Sequence, residues 1–186
     1  MPLSETARRK RHIEAAQGYL MLDMPDHALR ELRQAKEPDP RDPLAFIFYY
    51  LKAEAYREKK EYEEALKAFE QAEAIQPNEL NVGLGKAWCY KRIGQLQAAI
   101  ATMEHLCKLY PTEPIVLYNL ACYFALAGLR EEALSWLGRA LRLDSSLRKL
   151  IPDEHDFDSL RDDPEFRMIA GVDSDSQSDQ AGIDEF

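Results

Sequence analysis

The chain has 186 residues, of which 46% are hydrophobic and 31% charged, and a formal net charge of -9 at pH 7. This composition excludes a chain disordered throughout, and the length allows one domain with a sizeable core or one short array of repeats. The charge is unevenly placed: residues 152–186 hold 12 acidic and 2 basic residues, whereas residues 1–151 hold 21 and 22. The body therefore lacks the basic excess that a phosphate backbone requires, which excludes nucleic acid as a general partner.

The opening residues, Met1-Pro2-Leu3-Ser4-Glu5-Thr6, contain no apolar stretch of the signal-peptide kind, so a cytoplasmic location is expected. Apolar periodicity then predicts paired helices over residues 5–22 and 26–37, 43–58 and 61–75, 79–94 and 95–109, and 113–127 and 130–144. The basic run Arg8-Arg9-Lys10-Arg11 falls in the first of these and reads as its solvated face, with Glu5 and Glu14 close by. The longest uncharged stretch, residues 114–129, is too short for a bilayer span, so no membrane contact is expected. After residue 145, Leu147 to Ile151 extends or follows the last helix, and Asp156 to Arg161 predicts a short helical turn. Asp163, Pro164 and Gly171 suit the cap, first position and end of one more short helix. Residues 172–186 turn to Asp, Ser, Gln and Gly and predict a disordered acidic tail.

These helices are copies of one another. A small column reads Ala16, Ala53, Ala87, Ala121, an aromatic column Tyr19, Tyr56, Tyr90, Phe124, and a second small column Ala28, Ala65, Ala99, Ala133, each stepping by 37, 34 and 34 residues. Leu32, Phe69, Met103 and Leu137 keep the register, followed by Pro40, Pro77 and Pro111 with Ser145 in the fourth place. Five columns at a period of 34 resemble the tetratricopeptide repeat, a helix-turn-helix unit, and the likeness covers roughly residues 9–145. The resemblance implies an all-α, right-handed α-α superhelix of four helix pairs with short capping helices. Four repeats then occupy residues 5–145 (about 9–42, 46–79, 80–113 and 114–147), and the cap 146–171. Copies one and three depart from the pattern early in the first helix, with His12 and Gly83 where a bulky apolar residue is expected, and three extra residues separate copies one and two. Because a terminal repeat leaves one apolar face uncovered, Phe157, Leu160, Phe166 and Ile169 are expected to pack over the last repeat, with Trp136 among the side chains they shield.

Chemistry of the catalytic kind is not expected. Gly83-Leu84-Gly85-Lys86 lacks the spacer and the hydroxyl residue of a phosphate loop, and His12, His27, His105 and His155 are scattered without a nucleophile partner. Cys89, Cys107 and Cys122 are odd in number, without a CxxC pair, and read as buried apolar residues. The acidic tail from Asp173 to Asp184 lacks the turn glycine of a calcium loop, and Asp153-Glu154-His155-Asp156 reads as capping and turn chemistry. Neither a metal nor a cofactor is therefore expected.

What remains is surface. In the family the first helices of successive repeats line a concave groove, and the resemblance carries that groove onto Tyr50, Glu54, Arg57, Leu84, Trp88, Lys91, Arg92, Tyr118, Asn119 and Cys122, with Ile13, Gln17, Ile47 and Ile115 at the same columns. Trp88, Tyr50 and Tyr118 are the expected anchors, Gly85 leaves space beside Trp88, and Arg57, Lys91 and Arg92 favour an acidic or carboxylate-bearing ligand. The expected function is thus non-catalytic binding of a protein or peptide segment. The alternatives are a chaperone resembling the small acidic tetratricopeptide chaperones of secretion systems, and a structural subunit of an oligomeric assembly. The sequence leaves the oligomeric state open.

Overall fold

Each predicted helix forms, with ends within two residues of those expected: α1 (Glu5–Leu20), α2 (Pro25–Ala35), α3 (Ala45–Glu58), α4 (Tyr62–Ile75), α5 (Leu80–Arg92), α6 (Leu96–Leu109), α7 (Pro114–Leu126) and α8 (Arg130–Leu143). Two 3-10 segments, Ser145–Asp153 and His155–Leu160, and the short α9 (Pro164–Ala170) follow. The structure is a computed structural model that describes residues 4–171, so the expected acidic tail at 172–186 lies outside the described residues. Among the described residues the protein is all-α, with no strand. It divides into two compact units, Met1–Thr102 and Met103–Phe186, with the division inside α6.

The repeat columns are written into the backbone as well as the core. The carbonyls of the aromatic column, Tyr19, Tyr56, Tyr90 and Phe124, each accept from the amide five residues on, in Met24, Glu61, Gln95 and Leu129. This is the six-to-one bond of a Schellman motif, which needs a left-handed residue just past the helix. Asp23 (φ 54°), Lys60 (φ 63°), Gly94 (φ 78°) and Gly128 (φ 73°) supply it. Two of the four turns thus manage without glycine, because the hydrogen bond and the packing of the following helix hold the conformation.

In the first unit α1 packs on α2, α3 on α4, and α4 on α5. Ala16, Ala28, Ala53 and Ala65 are fully buried and let the paired helices approach closely, while Leu32 and Phe69 fill the space between pairs. The polar His12, at a position where the repeat wants bulk, is met by the Glu31 carboxylate at 2.7 Å from its Nδ1. The extra residues between the first two pairs are tied back too. Asp42 pairs with Arg9 and accepts from the Leu44 amide at 2.9 Å, and Arg9 Nε donates to the Ala35 carbonyl at 3.3 Å. Arg9 is therefore partly buried structure and not solvated face, unlike the exposed Arg8, Lys10 and Arg11 beside it.

In the second unit α7 packs on α8, the second 3-10 segment on α7, and both the first 3-10 segment and α9 on α8. Phe157, Leu160 and Phe166 are buried, as is Ile151, while Ile169 is half-buried. Trp136 is half-buried beneath the Arg139 guanidinium, 4.1 Å from the indole centroid. At α9 the Asp163 carboxylate accepts from the amides of Glu165 (2.9 Å) and Phe166 (3.1 Å), and Gly171 closes the helix at φ 80°. Arg130 then reaches across from α8 to Asp163 (2.5 Å) and Glu165 (3.0 Å).

Candidate functional site

In the first unit the ends of α3 and α5 and the start of α4 surround a hollow of about 450 Å³ lined by Arg57, Glu58, Lys60, Tyr62, Trp88 and Arg92. Trp88 is half-buried, and its indole meets the Tyr62 ring edge-on at 5.4 Å. Arg92 stands one helical turn beyond Trp88, so the two side chains share a face of α5. Its guanidinium carbon lies 5.0 Å from the indole centroid, and that of Arg57, from α3, lies 5.6 Å from it. Two guanidinium groups held against one aromatic ring are attracted by its π-electrons while their N–H edges remain available to a carboxylate.

The two arginines differ in what they still have to offer. Arg57 Nη2 donates to Glu54 at 2.5 Å, one turn earlier on α3. Glu54 is half-buried, and that burial raises its carboxyl pKa while Arg57 pulls the other way. Glu54 thus orients Arg57 and neutralises part of its charge. Arg92 is exposed and makes no ion pair among the described residues, and the exposed Lys60 stands in the left-handed turn before α4. The hollow can therefore present an aromatic wall, a free guanidinium and an ammonium to an anionic group.

Tyr50 is half-buried, stacked on Phe46 at 6.1 Å and tilted against Phe69 at 6.3 Å, and burial raises its pKa. Leu84 and Lys91 are partly exposed on α5. The space expected at Gly85 is not open: Gly85 is buried, and a β-carbon there would overlap the Phe69 ring. Gln17 is exposed and Ile47 half-buried, whereas Ile13 is buried in the core.

The second unit corrects two of the expected groove residues. Tyr118 and Cys122 are only 2% and 1% exposed, and the Phe157 ring stands edge-on to Tyr118 at 5.8 Å. The physical reason is the cap, because the segment that closes the last repeat lies over this face of α7. Tyr118 is thus a core residue and not an anchor. Asn119 and Ile115 remain partly exposed on α7. Conversely, Tyr62 and Lys60 belong to the Trp88 hollow although no column marked them, since their equivalents in the other copies, such as Leu96 and Gly94, share neither ring nor charge.

Comparison with known families finds two tetratricopeptide repeat models, matching residues 25–79 and 56–117. No curated protein sequence matches the chain. Among solved structures, MamA from Desulfovibrio magneticus RS-1 is similar at 18% identity, over 91% of this chain and 97% of that one, with a TM-score of 0.66. A putative kinesin light chain of Podospora anserina with nearly identical repeats is similar at 17% identity, over 94% and 99%, with a TM-score of 0.69. YrrB, described as a repeat protein with an unusual peptide-binding site, is similar at 18% identity, over 91% and 86%, with a TM-score of 0.66. At these identities the likeness is one of fold.

Proposed function

Because this chain belongs to the tetratricopeptide repeat family, whose repeats serve protein–protein interaction, we propose that its first unit binds an acidic or carboxylate-bearing protein segment against Trp88, without catalysis. The observation that carries this reading is the half-buried indole flanked by Arg57 and by Arg92, which makes no ion pair among the described residues. Aromatic and arginine side chains supply large contact area at modest entropic cost and dominate interface energetics. The open hollow gives a side chain or terminal carboxylate somewhere to enter. Among the similar folds YrrB has a peptide-binding site, and the proposal gives this chain one as well.

Trp88 and Trp136 are the two tryptophans of the chain, so a Trp136→Phe variant leaves Trp88 as the sole indole reporter. Titration of that variant with acidic peptides, and with the same peptides carrying Asn and Gln for Asp and Glu, is expected to change the Trp88 emission for the acidic set only. An equal response to both sets contradicts the electrostatic half of the proposal, and no response to either contradicts the site. The alternative roles separate by other means: a chaperone raises the solubility of a co-expressed partner, and an assembly subunit is oligomeric when purified alone.

A further inference from the structure

Where the second 3-10 segment covers α7, four polar side chains converge in the second unit. Ligand atoms of Cys122, Glu154 and Asp156 lie within 4.8 Å of one another. Cys122 and Tyr118 stand four residues apart on α7, so both project from one face. The Tyr118 hydroxyl is buried and has no hydrogen-bond partner among the described residues. It is also close enough to feel the charges of Cys122, Glu154 and Asp156. A buried hydroxyl left unpaired is costly, and this one sits beside a set of metal-ligating groups. Glu154 also caps the second 3-10 segment, accepting from the Asp156 amide at 3.2 Å through Oε1.

We propose that this cluster is a site for a divalent cation of the Zn²⁺ class, bound by the Cys122 thiolate and the Glu154 and Asp156 carboxylates. One sulfur with two carboxylates suits a borderline cation, whereas Mg²⁺ and Ca²⁺ take oxygen alone. On binding, the Sγ–H proton leaves to solvent and a sulfur–metal bond forms. A water in the fourth tetrahedral position accepts from the Tyr118 O–H and supplies its missing partner. The neighbouring Arg161 spends its hydrogen bonds elsewhere, donating through Nη2 to the carbonyls of Pro152 (3.2 Å) and Glu154 (2.8 Å) and pairing through Nε with Asp158 at 3.5 Å. The cation clamps the cap onto the helix it covers. Sequence spacing hides such a site, since Cys122 and Glu154 are separated by a whole helix and a 3-10 segment and meet only when the cap docks.

The test uses the full chain stripped of metal and titrated with Co²⁺, followed by displacement with Zn²⁺. The expected result is a thiolate-to-cobalt absorption band reaching one equivalent per chain, its loss on adding Zn²⁺, and a rise in Tm with Zn²⁺. Cys122→Ser should abolish the band although Cys89 and Cys107 remain. Glu154→Gln and Asp156→Asn, at partly exposed positions, should keep the fold and weaken Zn²⁺ binding by at least about tenfold. Absence of the band in the parent chain, its survival in Cys122→Ser, or unchanged affinity in both carboxylate variants overturns the proposal. Should Cys122→Ser fail to fold, the carboxylate variants decide.

Discussion

Phe157→Ala tests how the repeat array is closed. Phe157 is fully buried, edge-on to Tyr118 at 5.8 Å and tilted against Phe166 at 5.4 Å, so its ring joins the 3-10 segment both to α7 and to α9. Truncating a buried phenylalanine costs about 3–5 kcal/mol, of which each aromatic pair accounts for about 0.5–1.5 kcal/mol. That is a large part of the roughly 5–15 kcal/mol that holds a typical domain together. In repeat proteins stability is summed from neighbouring contacts, so the loss should be local: the cap leaves α7 while α1 to α4 stay folded. Guanidinium titration followed by circular dichroism should show an early transition absent from the parent. In a Cys107→Ser background, Cys122 should react with a thiol reagent in Phe157→Ala and stay protected in the parent. A change below about 1 kcal/mol, with Cys122 still protected, would refute the role assigned to the cap.

Gly85→Ala should destabilise the first unit by about 1–3 kcal/mol in thermal or chemical melts, because the overlap with the buried Phe69 ring outweighs the helix preference of alanine, worth about 1 kcal/mol. A more stable variant would show that Phe69 moves aside. The Arg130 hydrogen bond, with the amides of α9, holds the Asp163 carboxyl at about 2, below its ordinary value of 3.8. A depressed folded pKa means stability that is present above pH 4 and lost as pH falls through about 2. Melting between pH 5 and 2 should therefore show an acid loss that shrinks in Asp163→Asn, and identical profiles would contradict the linkage.

Much of this architecture is legible in the chain because one small unit is written four times. The alanine columns and the Schellman turns obey local rules, and so do the cap and stop of α9, where Asp163, Pro164 and Gly171 take the places their chemistry prefers. The site is less legible, because alignment by repeat assumes that every copy has the same neighbours. Tyr118 and Cys122 occupy groove columns, yet the last copy is covered by a cap that the others lack, and the same column becomes core. Gly85 misled for a related reason: an absent side chain reads as space, whereas the Phe69 ring from α4 fills it. Arg57, Trp88 and Arg92 could be named as neighbours, but not the stacking of both guanidinium groups on one indole, which depends on where α3 places Arg57 beside α5.

Trp88 is the residue on which the functional account rests. The decisive measurement is the affinity of a partner segment, captured from the native host, for the parent chain and for Trp88→Ala and Arg92→Ala, with Tm recorded for each. Removing an interface anchor costs about 2 kcal/mol, roughly thirtyfold in affinity. Trp88→Ala should show that loss with a modest fall in Tm, since its ring also packs on Tyr62, and the exposed Arg92→Ala should weaken binding with Tm unchanged. Parent-like affinity in both variants would contradict the account.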